Sequence, residues 1–154
     1  MLLLSRSSSI KRMLRKLRDR AFFIADKCLS LDGKIPEKLD KIIILQLQHL
    51  GDSLVFTPAL RAIRKTFPEA RINMMVNKMS YEVFKNNPNV DGFYKVDYWP
   101  WGFHEKRYLR FLKSLINVIK QVRRENYDCV ILCINQQAFK YSLIAFMTGI
   151  KCRI

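Results

Sequence analysis

The sequence is poor in the residues that cofactor-binding loops and metal sites require. It has five glycines in 154 residues. One of them, Gly51, lies in the turn after the first long apolar run, so the G-x-G-x-x-G fingerprint of dinucleotide binding is missing there. A Walker A lysine motif and a D-x-D sequence are missing as well. We therefore expect no nicotinamide or flavin cofactor and no metal.

The cysteines do not follow the spacing of a zinc site or a disulfide framework. The four are Cys28, Cys129, Cys133 and Cys152. This pattern fits reduced thiols of the cytosol. Cys129 and Cys133 lie four apart in a predicted strand and therefore on one side of it, which favours small core residues over ligands.

No apolar run approaches the ~18 residues that a membrane-spanning helix needs. The opening run, Met1 to Leu4, is too short for the apolar region of a signal peptide. The sequence therefore predicts a chain that neither crosses a membrane nor leaves the cytoplasm by that route.

Acidic residues are few relative to basic ones. There are 13 Asp and Glu against 28 Lys and Arg, for a formal net charge of +15, while 49% of the residues are hydrophobic. The hydrophobic content is that of an ordinary folded domain with one core. The charge indicates an anionic partner, which nucleic acid, lipid headgroups or phosphorylated sugars could all provide.

Residues 1–40 form a basic amphipathic helix and a linker in this interpretation. Apolar residues recur at helical spacing from Ile10 to Cys28, and basic residues fill the other faces. Such a helix is typical of one that lies on an anionic membrane surface. The alternative is a helix docked on the domain's own surface. The residues predicted to bind the membrane are Lys11, Arg12, Arg15 and Lys16.

Residues 41–154 alternate between strand and helix patterns, which predicts an α/β fold with a Rossmann-like, doubly wound parallel sheet. Expected strands cover residues 42–47, 71–76, 92–96 and 128–134, and a fifth begins at Lys151. Expected helices cover residues 53–67, 80–86, 105–124 and 138–147. The strand order should be 3-2-1-4-5 with residues 41–47 at the centre. Because the sequence stops at the start of the fifth strand, we expect a fragment or a truncated reading frame.

The candidate site follows the first strand, where doubly wound sheets place their ligands. Gln48, His49, Gly51, Asp52 and Ser53 lie in this turn. Asp52 has two alternative interpretations. It could be the N-cap of the next helix, or it could lie free in the loop before a helix that begins with Thr57 as N-cap and Pro58 as first residue.

Two further segments carry candidate ligand-binding residues. Asn135 and Gln136 follow the fourth strand, and their amides could hydrogen-bond sugar hydroxyls or cap the next helix. The aromatic residues of the loop 98–103 could stack on sugars, lie at a membrane interface or cover the long helix.

The segment from Gly51 to Pro68 resembles a known family. It contains Gly51-Asp52, then Pro58-Ala59-Leu60, then Phe67-Pro68, and this order is similar to the opening of the lipopolysaccharide heptosyltransferases, glycosyltransferase family nine. Weaker similarities follow in order at residues 87–91, 127–131 and 149–154. The chain departs from the family at Gln46 and at Gln48-His49, where many relatives have an arginine and small polar residues.

The resemblance implies the N-terminal, acceptor-binding half of a GT-B enzyme over residues 41–154, with the C-terminal donor domain absent and this half inactive alone. It implies inverting transfer of a heptose-like sugar from a nucleotide-diphosphate sugar to a lipopolysaccharide core or related anionic glycolipid. The site would lie on the cytoplasmic, inner face of the cytoplasmic membrane. Asp52 would be catalytic, and the acceptor would be bound by Gln48, His49, Gly51, Ser53, Asn135 and Gln136. The alternative is a non-catalytic basic module that binds a membrane or nucleic acid, although no nucleic-acid motif is recognised and we expect no nucleic-acid partner.

Overall fold

The computed structural model describes residue 36 and residues 38–97, 105–133 and 138–154, which contain five strands and four helices. In chain order these are β1 (Lys41–Gln46), α1 (Leu50–Thr66), β2 (Arg71–Val76), α2 (Lys78–Phe84), β3 (Gly92–Lys95), α3 (Glu105–Glu125), β4 (Cys129–Leu132), α4 (Ala138–Thr148) and β5 (Cys152–Arg153). The predicted helix over residues 10–28, with Lys11, Arg12, Arg15 and Lys16, lies outside the described residues. So do the aromatic loop 98–103 and the pair Asn135 and Gln136.

The five strands form one parallel sheet in the order β3-β2-β1-β4-β5. The predicted α/β class and strand order are therefore confirmed. β1 is the central strand, with Ile42 paired to Ile72 of β2 on one side and to Cys129 of β4 on the other. Its four apolar residues from Ile42 to Leu45 are fully buried, as the continuous apolar run predicts for a parallel strand covered on both faces.

Successive residues of β1 point to opposite faces of the sheet and divide the core into two layers. Ile43 and Leu45 pack in one hydrophobic cluster with residues of α3 and α4, such as Leu115 and Ile144. Ile42 and Ile44 pack in the other cluster, on the side of α1 and α2. Because both faces of the sheet are covered by helices, a ligand can reach the central strands only at their ends.

Helix α1 begins earlier than either interpretation of the sequence predicted. Leu50 is its first residue and His49 its N-cap, with the Ser53 N–H donating to the His49 carbonyl at 3.0 Å. Asp52 is therefore not an N-cap, and Pro58 lies inside the helix rather than at its start. A proline there leaves the Leu54 carbonyl without its helical donor. The Thr57 hydroxyl donates to that carbonyl at 2.8 Å, which explains why the helix continues through the proline.

Helix α2 also begins before its predicted start, at Lys78 rather than Ser80. Asn77 is the N-cap, and its Oδ1 accepts from the Ser80 N–H at 2.9 Å. The other described boundaries agree with the prediction to within two residues.

Within the described residues, every helix is too short or too polar to cross a bilayer.

Candidate active site

The carboxyl ends of β1 and β4 meet where the strand order reverses. From β1 the chain passes to α1 on one face of the sheet, whereas β4 is followed by α4 on the other face. In doubly wound sheets this divergence opens the crevice in which ligands bind. The turn from Leu47 to Asp52 lies at this crevice.

Asp52 is the third residue of α1 and is partly buried. A carboxylate in the first turn of a helix is stabilised by the dipole and by the unpaired amide groups of that turn. The structure thus places an acidic side chain directly after the central strand, at the predicted position but inside the helix.

Gly51 precedes Asp52 and is exposed. A Cβ atom built on Gly51 would meet nothing within 4 Å, so the described residues do not require glycine here for packing. The missing side chain leaves the start of the helix open to a ligand that approaches the backbone.

Ser53 lies beneath this turn, fully buried. Its hydroxyl lies 3.0 Å from the His49 carbonyl and 2.9 Å from the Ser80 hydroxyl, and it accepts from Gln46 Nε2 at 3.3 Å. This network joins β1, α1 and α2 through side chains that are shielded from solvent. Ser53 therefore supports the turn from below in this conformation.

Gln48 connects the ends of three strands. Its carbonyl accepts from Asn77 Nδ2 at 2.9 Å and from the Ser80 hydroxyl at 3.2 Å, while its side-chain Nε2 donates to the Cys133 carbonyl. Asn77 follows β2 and Cys133 follows β4. These contacts connect the carboxyl ends of β1, β2 and β4, and they give Gln48 a structural function in addition to any contact with a ligand.

Tyr141 reaches the same place from α4, in the opposite layer, and is buried. Burial raises the pKa of its hydroxyl above the ordinary value, and neighbouring Cys133 and Asp52 shift it further in that direction, while a hydrogen bond from the Leu47 backbone acts against them. The hydrogen bond with Leu47 places the Tyr141 hydroxyl beside the turn that follows β1. At neutral pH Tyr141 is a protonated hydrogen-bond donor beside the crevice.

Cys129 and Cys133 have protonated thiols at neutral pH. Burial raises the pKa of Cys133 to about 12, and burial together with the neighbouring Cys152 raises that of Cys129. Cys129 and Cys133 both pack on the α1 and α2 side of the sheet, which confirms their interpretation as core residues. Among the residues that the structure describes, no group of three or more His, Cys, Asp or Glu side chains is arranged to hold a metal ion.

The structure brings together four of the predicted site residues, Gln48, His49, Gly51 and Asp52, and places Ser53 below them. His49 is exposed at the helix start. Sequence reasoning missed Asn77, Ser80 and Tyr141. Asn77 directly after a strand, three residues before Ser80, is a helix-capping pattern that could have identified the first two. Tyr141 carries no such signal, because an aromatic residue on an apolar helix indicates core packing.

A Rossmann-like domain with a polar crevice at the carboxyl end of its central strand is the class that these features define. The chain matches no protein-family model. It is similar to lipopolysaccharide heptosyltransferase 3 of Escherichia coli (strain K12), with 27% identity over 85 residues, which is 55% of this chain and 23% of that protein. A second lipopolysaccharide heptosyltransferase 3, from Escherichia coli, is 24% identical over 81 residues, or 53% of this chain and 22% of that protein.

Solved structures show the same fold. The chain superimposes on a glycosyl transferase of family 9 from Veillonella parvula DSM 2008 with a TM-score of 0.64 and 22% identity, over 77% of this chain and 32% of that one. It also superimposes on E. coli ADP-heptose lps heptosyltransferase II with a TM-score of 0.56 and 18% identity, over 73% of this chain and 29% of that one. The resemblance to the heptosyltransferases is thereby confirmed. The chain spans about a quarter to a third of the length of these relatives.

Proposed function

We propose that the chain is the acceptor-binding part of a glycosyltransferase of lipopolysaccharide core synthesis. The transferred group would be a heptose-like sugar from a nucleotide-diphosphate donor, and the acceptor a phosphorylated lipopolysaccharide core or related glycolipid. The similarity to lipopolysaccharide heptosyltransferase 3 and the shared fold support this assignment. The net charge of +15 suits a phosphorylated acceptor.

The proposal depends on the position of Asp52 in the first turn of α1, after the central strand. Its carboxylate would take the proton from the acceptor hydroxyl as that oxygen attacks the anomeric carbon of the donor. Attack from the face opposite the departing nucleotide inverts the configuration. The open space above Gly51 would admit the acceptor, and Tyr141 would donate a hydrogen bond toward the crevice.

The remaining predicted residues divide by their surroundings. His49 is exposed beside Asp52 and is proposed to contact the acceptor. Gln48 and Ser53 would act mainly by holding the turn, because their groups are engaged within the fold. Binding of sugar hydroxyls by Asn135 and Gln136 stays a prediction.

The test is Asp52→Asn, which preserves size. A phosphorylated core oligosaccharide should bind the purified chain, and the Asn variant should bind it about as well. Turnover is then measured with the chain joined to the donor-binding part of a relative, using ADP-heptose as donor. We expect a loss of roughly 10²–10⁴-fold at saturating acceptor, because a general base contributes about that much.

Near-normal turnover of the Asn variant would show that Asp52 serves the helix and not the reaction. Failure of the chain to bind the oligosaccharide would contradict the acceptor assignment. A basic module without catalysis would bind polyanions in general and would not distinguish the oligosaccharide from other phosphorylated polymers of equal charge.

A further inference from the structure

The helix layer formed by α3 and α4 has a charge very different from that of the rest of the domain. Between residues 105 and 154 the acidic residues are Glu105, Glu125 and Asp128. The basic residues of the same stretch are Lys106, Arg107, Arg110, Lys113, Lys120, Arg123, Arg124, Lys140, Lys151 and Arg153. The two helices contain eight of these basic residues and two of the acidic ones, so their layer carries a large excess of positive charge.

Two of these acidic residues make ion pairs or hydrogen bonds at the amino-terminal ends of the strands. Glu125 lies 3.5 Å from the Arg71 guanidinium and 3.8 Å from the Lys41 ammonium group. Asp128 accepts hydrogen bonds from the Asp40 and Lys41 backbone N–H groups at 2.9 and 2.8 Å. Neither carboxylate neutralises the outer face of α3.

That outer face combines cations with exposed aliphatic side chains. Leu109, Lys113, Ile116 and Lys120 follow one another at steps of four, three and four residues, so they form one stripe along the helix. Leu109 is 62% exposed and Ile116 43% exposed. Among the residues that the structure describes, Lys113 and Lys120 form no ion pair.

Helix α4 also exposes apolar side chains, with Leu143 40% and Phe146 50% exposed, and it contains no acidic residue. In the opposite layer some of the cations are paired, Arg64 with Asp91 at 2.6 Å and Lys85 with Glu82 at 2.7 Å. Two other cations of that layer, Arg61 and Lys65 of α1, are exposed. α1 also exposes aliphatic residues, but Leu50, Leu54 and Val55 lie in its first turns beside Asp52.

We propose that the outer face of α3 and α4 docks on an anionic lipid bilayer. Leu109 and Ile116 would enter the boundary between headgroups and acyl chains, while Lys113 and Lys120 extend to the lipid phosphates. Nucleic acid would use the cations and leave the aliphatic side chains in water, so the mixed stripe favours lipid. A second copy of the chain would meet the same positive charge and be repelled. The docking requires no transferase activity.

The test uses the full chain and vesicles of phosphatidylcholine with and without phosphatidylglycerol. Two variants probe the stripe: Lys113→Gln with Lys120→Gln, and Leu109→Ser with Ile116→Ser. The control variant, Arg61→Gln with Lys65→Gln, removes the same charge from exposed positions of α1 in the opposite layer. Thermal unfolding followed by circular dichroism checks that all three variants are folded.

The lysine variant should lower partitioning onto phosphatidylglycerol vesicles by about tenfold or more, because each of the two cations contributes a factor of about five at an anionic surface. The control should change it far less, since charges beyond the Debye length of about 8 Å are screened. The serine variant should also weaken binding, and added salt should not abolish its effect.

Equal losses in the lysine variant and the control would overturn the proposal, because binding would then follow net charge and not this face. It would also be overturned if the serine variant bound vesicles normally while the lysine variant lost affinity for a single-stranded RNA. A contribution from residues 10–28 is common to all variants and cancels in the comparison.

Discussion

Replacing Ser53 by alanine removes one hydroxyl from the buried network under the turn that holds Asp52. In the folded chain this hydroxyl is the partner of Gln46 Nε2 at 3.3 Å, and both side chains are fully buried. Gln46 Oε1 already has no hydrogen-bond partner within the described part of the chain. After the substitution the entire amide of Gln46 is buried without a hydrogen bond among the described residues, whereas Ser80 keeps its bond to the Gln48 carbonyl.

A buried polar group that loses its partner costs about 1–3 kcal/mol of stability. The space left by the missing hydroxyl oxygen is small, so it adds little to this loss of stability. We therefore expect Ser53→Ala to lower the free energy of unfolding by about 1–3 kcal/mol, a factor of roughly 5 to 150 in the folded-to-unfolded ratio.

The assay is urea unfolding followed by circular dichroism, with Gln46→Met as matched variant. Replacing both partners by apolar side chains of similar shape is nearly neutral. The double variant Gln46→Met with Ser53→Ala should thus recover most of the loss, with a coupling energy of about 0.5–3 kcal/mol. If Ser53→Ala changes stability by less than about 0.5 kcal/mol, or if the two changes add, the network does not carry the energy assigned to it.

Three further outcomes are expected. Gly92→Ala should destabilise the domain by about 1–3 kcal/mol in urea unfolding, because its Cβ would lie 2.9 Å from Asn73 Oδ1. Gly51→Ala should not destabilise the domain, and it should weaken oligosaccharide binding measured by calorimetric titration. Deleting residues 1–30 should reduce sedimentation with anionic vesicles, since each Lys or Arg near the surface contributes about 1 kcal/mol; unchanged sedimentation would exclude an interfacial helix. In the unfolded chain the Cys133 thiol ionises above pH about 8.5, whereas burial in the folded chain raises its pKa to about 12. The folded state therefore binds more protons in this range, and the free energy of unfolding should fall as the pH rises. Urea midpoints between pH 7.5 and 10, compared with those of Cys133→Ala, check the sign.

The topology could be predicted from the sequence because each step depended on local periodicity. Buried runs such as Ile42 to Leu45 mark strands covered on both faces, and the handedness of parallel crossovers then limits the order of the strands. The start of α1 could not be predicted in this way. Gly51, Asp52 and Pro58 each favour a later start by their intrinsic preferences. The Thr57 hydroxyl compensates for Pro58, and the packing of Ser53 beneath the turn depends on residues distant in sequence.

The sequence can indicate the candidate site only where its residues lie on one continuous segment. Asp52 and its neighbours follow directly from the end of the central strand and the family resemblance. Asn77 and Ser80 come from the end of β2 and the start of α2, and Tyr141 comes from the opposite helix layer. Their proximity to the turn is a property of the folded sheet, and no spacing along the chain expresses it.

The central position of β1 also determines when the candidate base can move. Both edges of β1 are hydrogen-bonded to neighbouring strands, so its backbone amides can exchange with deuterium only when the sheet itself opens. Asp52 follows this strand after a short turn, and hydrogen bonds of Gln48 and Ser53 connect that turn to neighbouring segments. Local openings of the domain should therefore leave the carboxylate in place. Any closure around a ligand would come from other segments that move toward this carboxylate. In a hydrogen-exchange experiment, the amides of Ile43 to Gln46 should report the global unfolding of the domain.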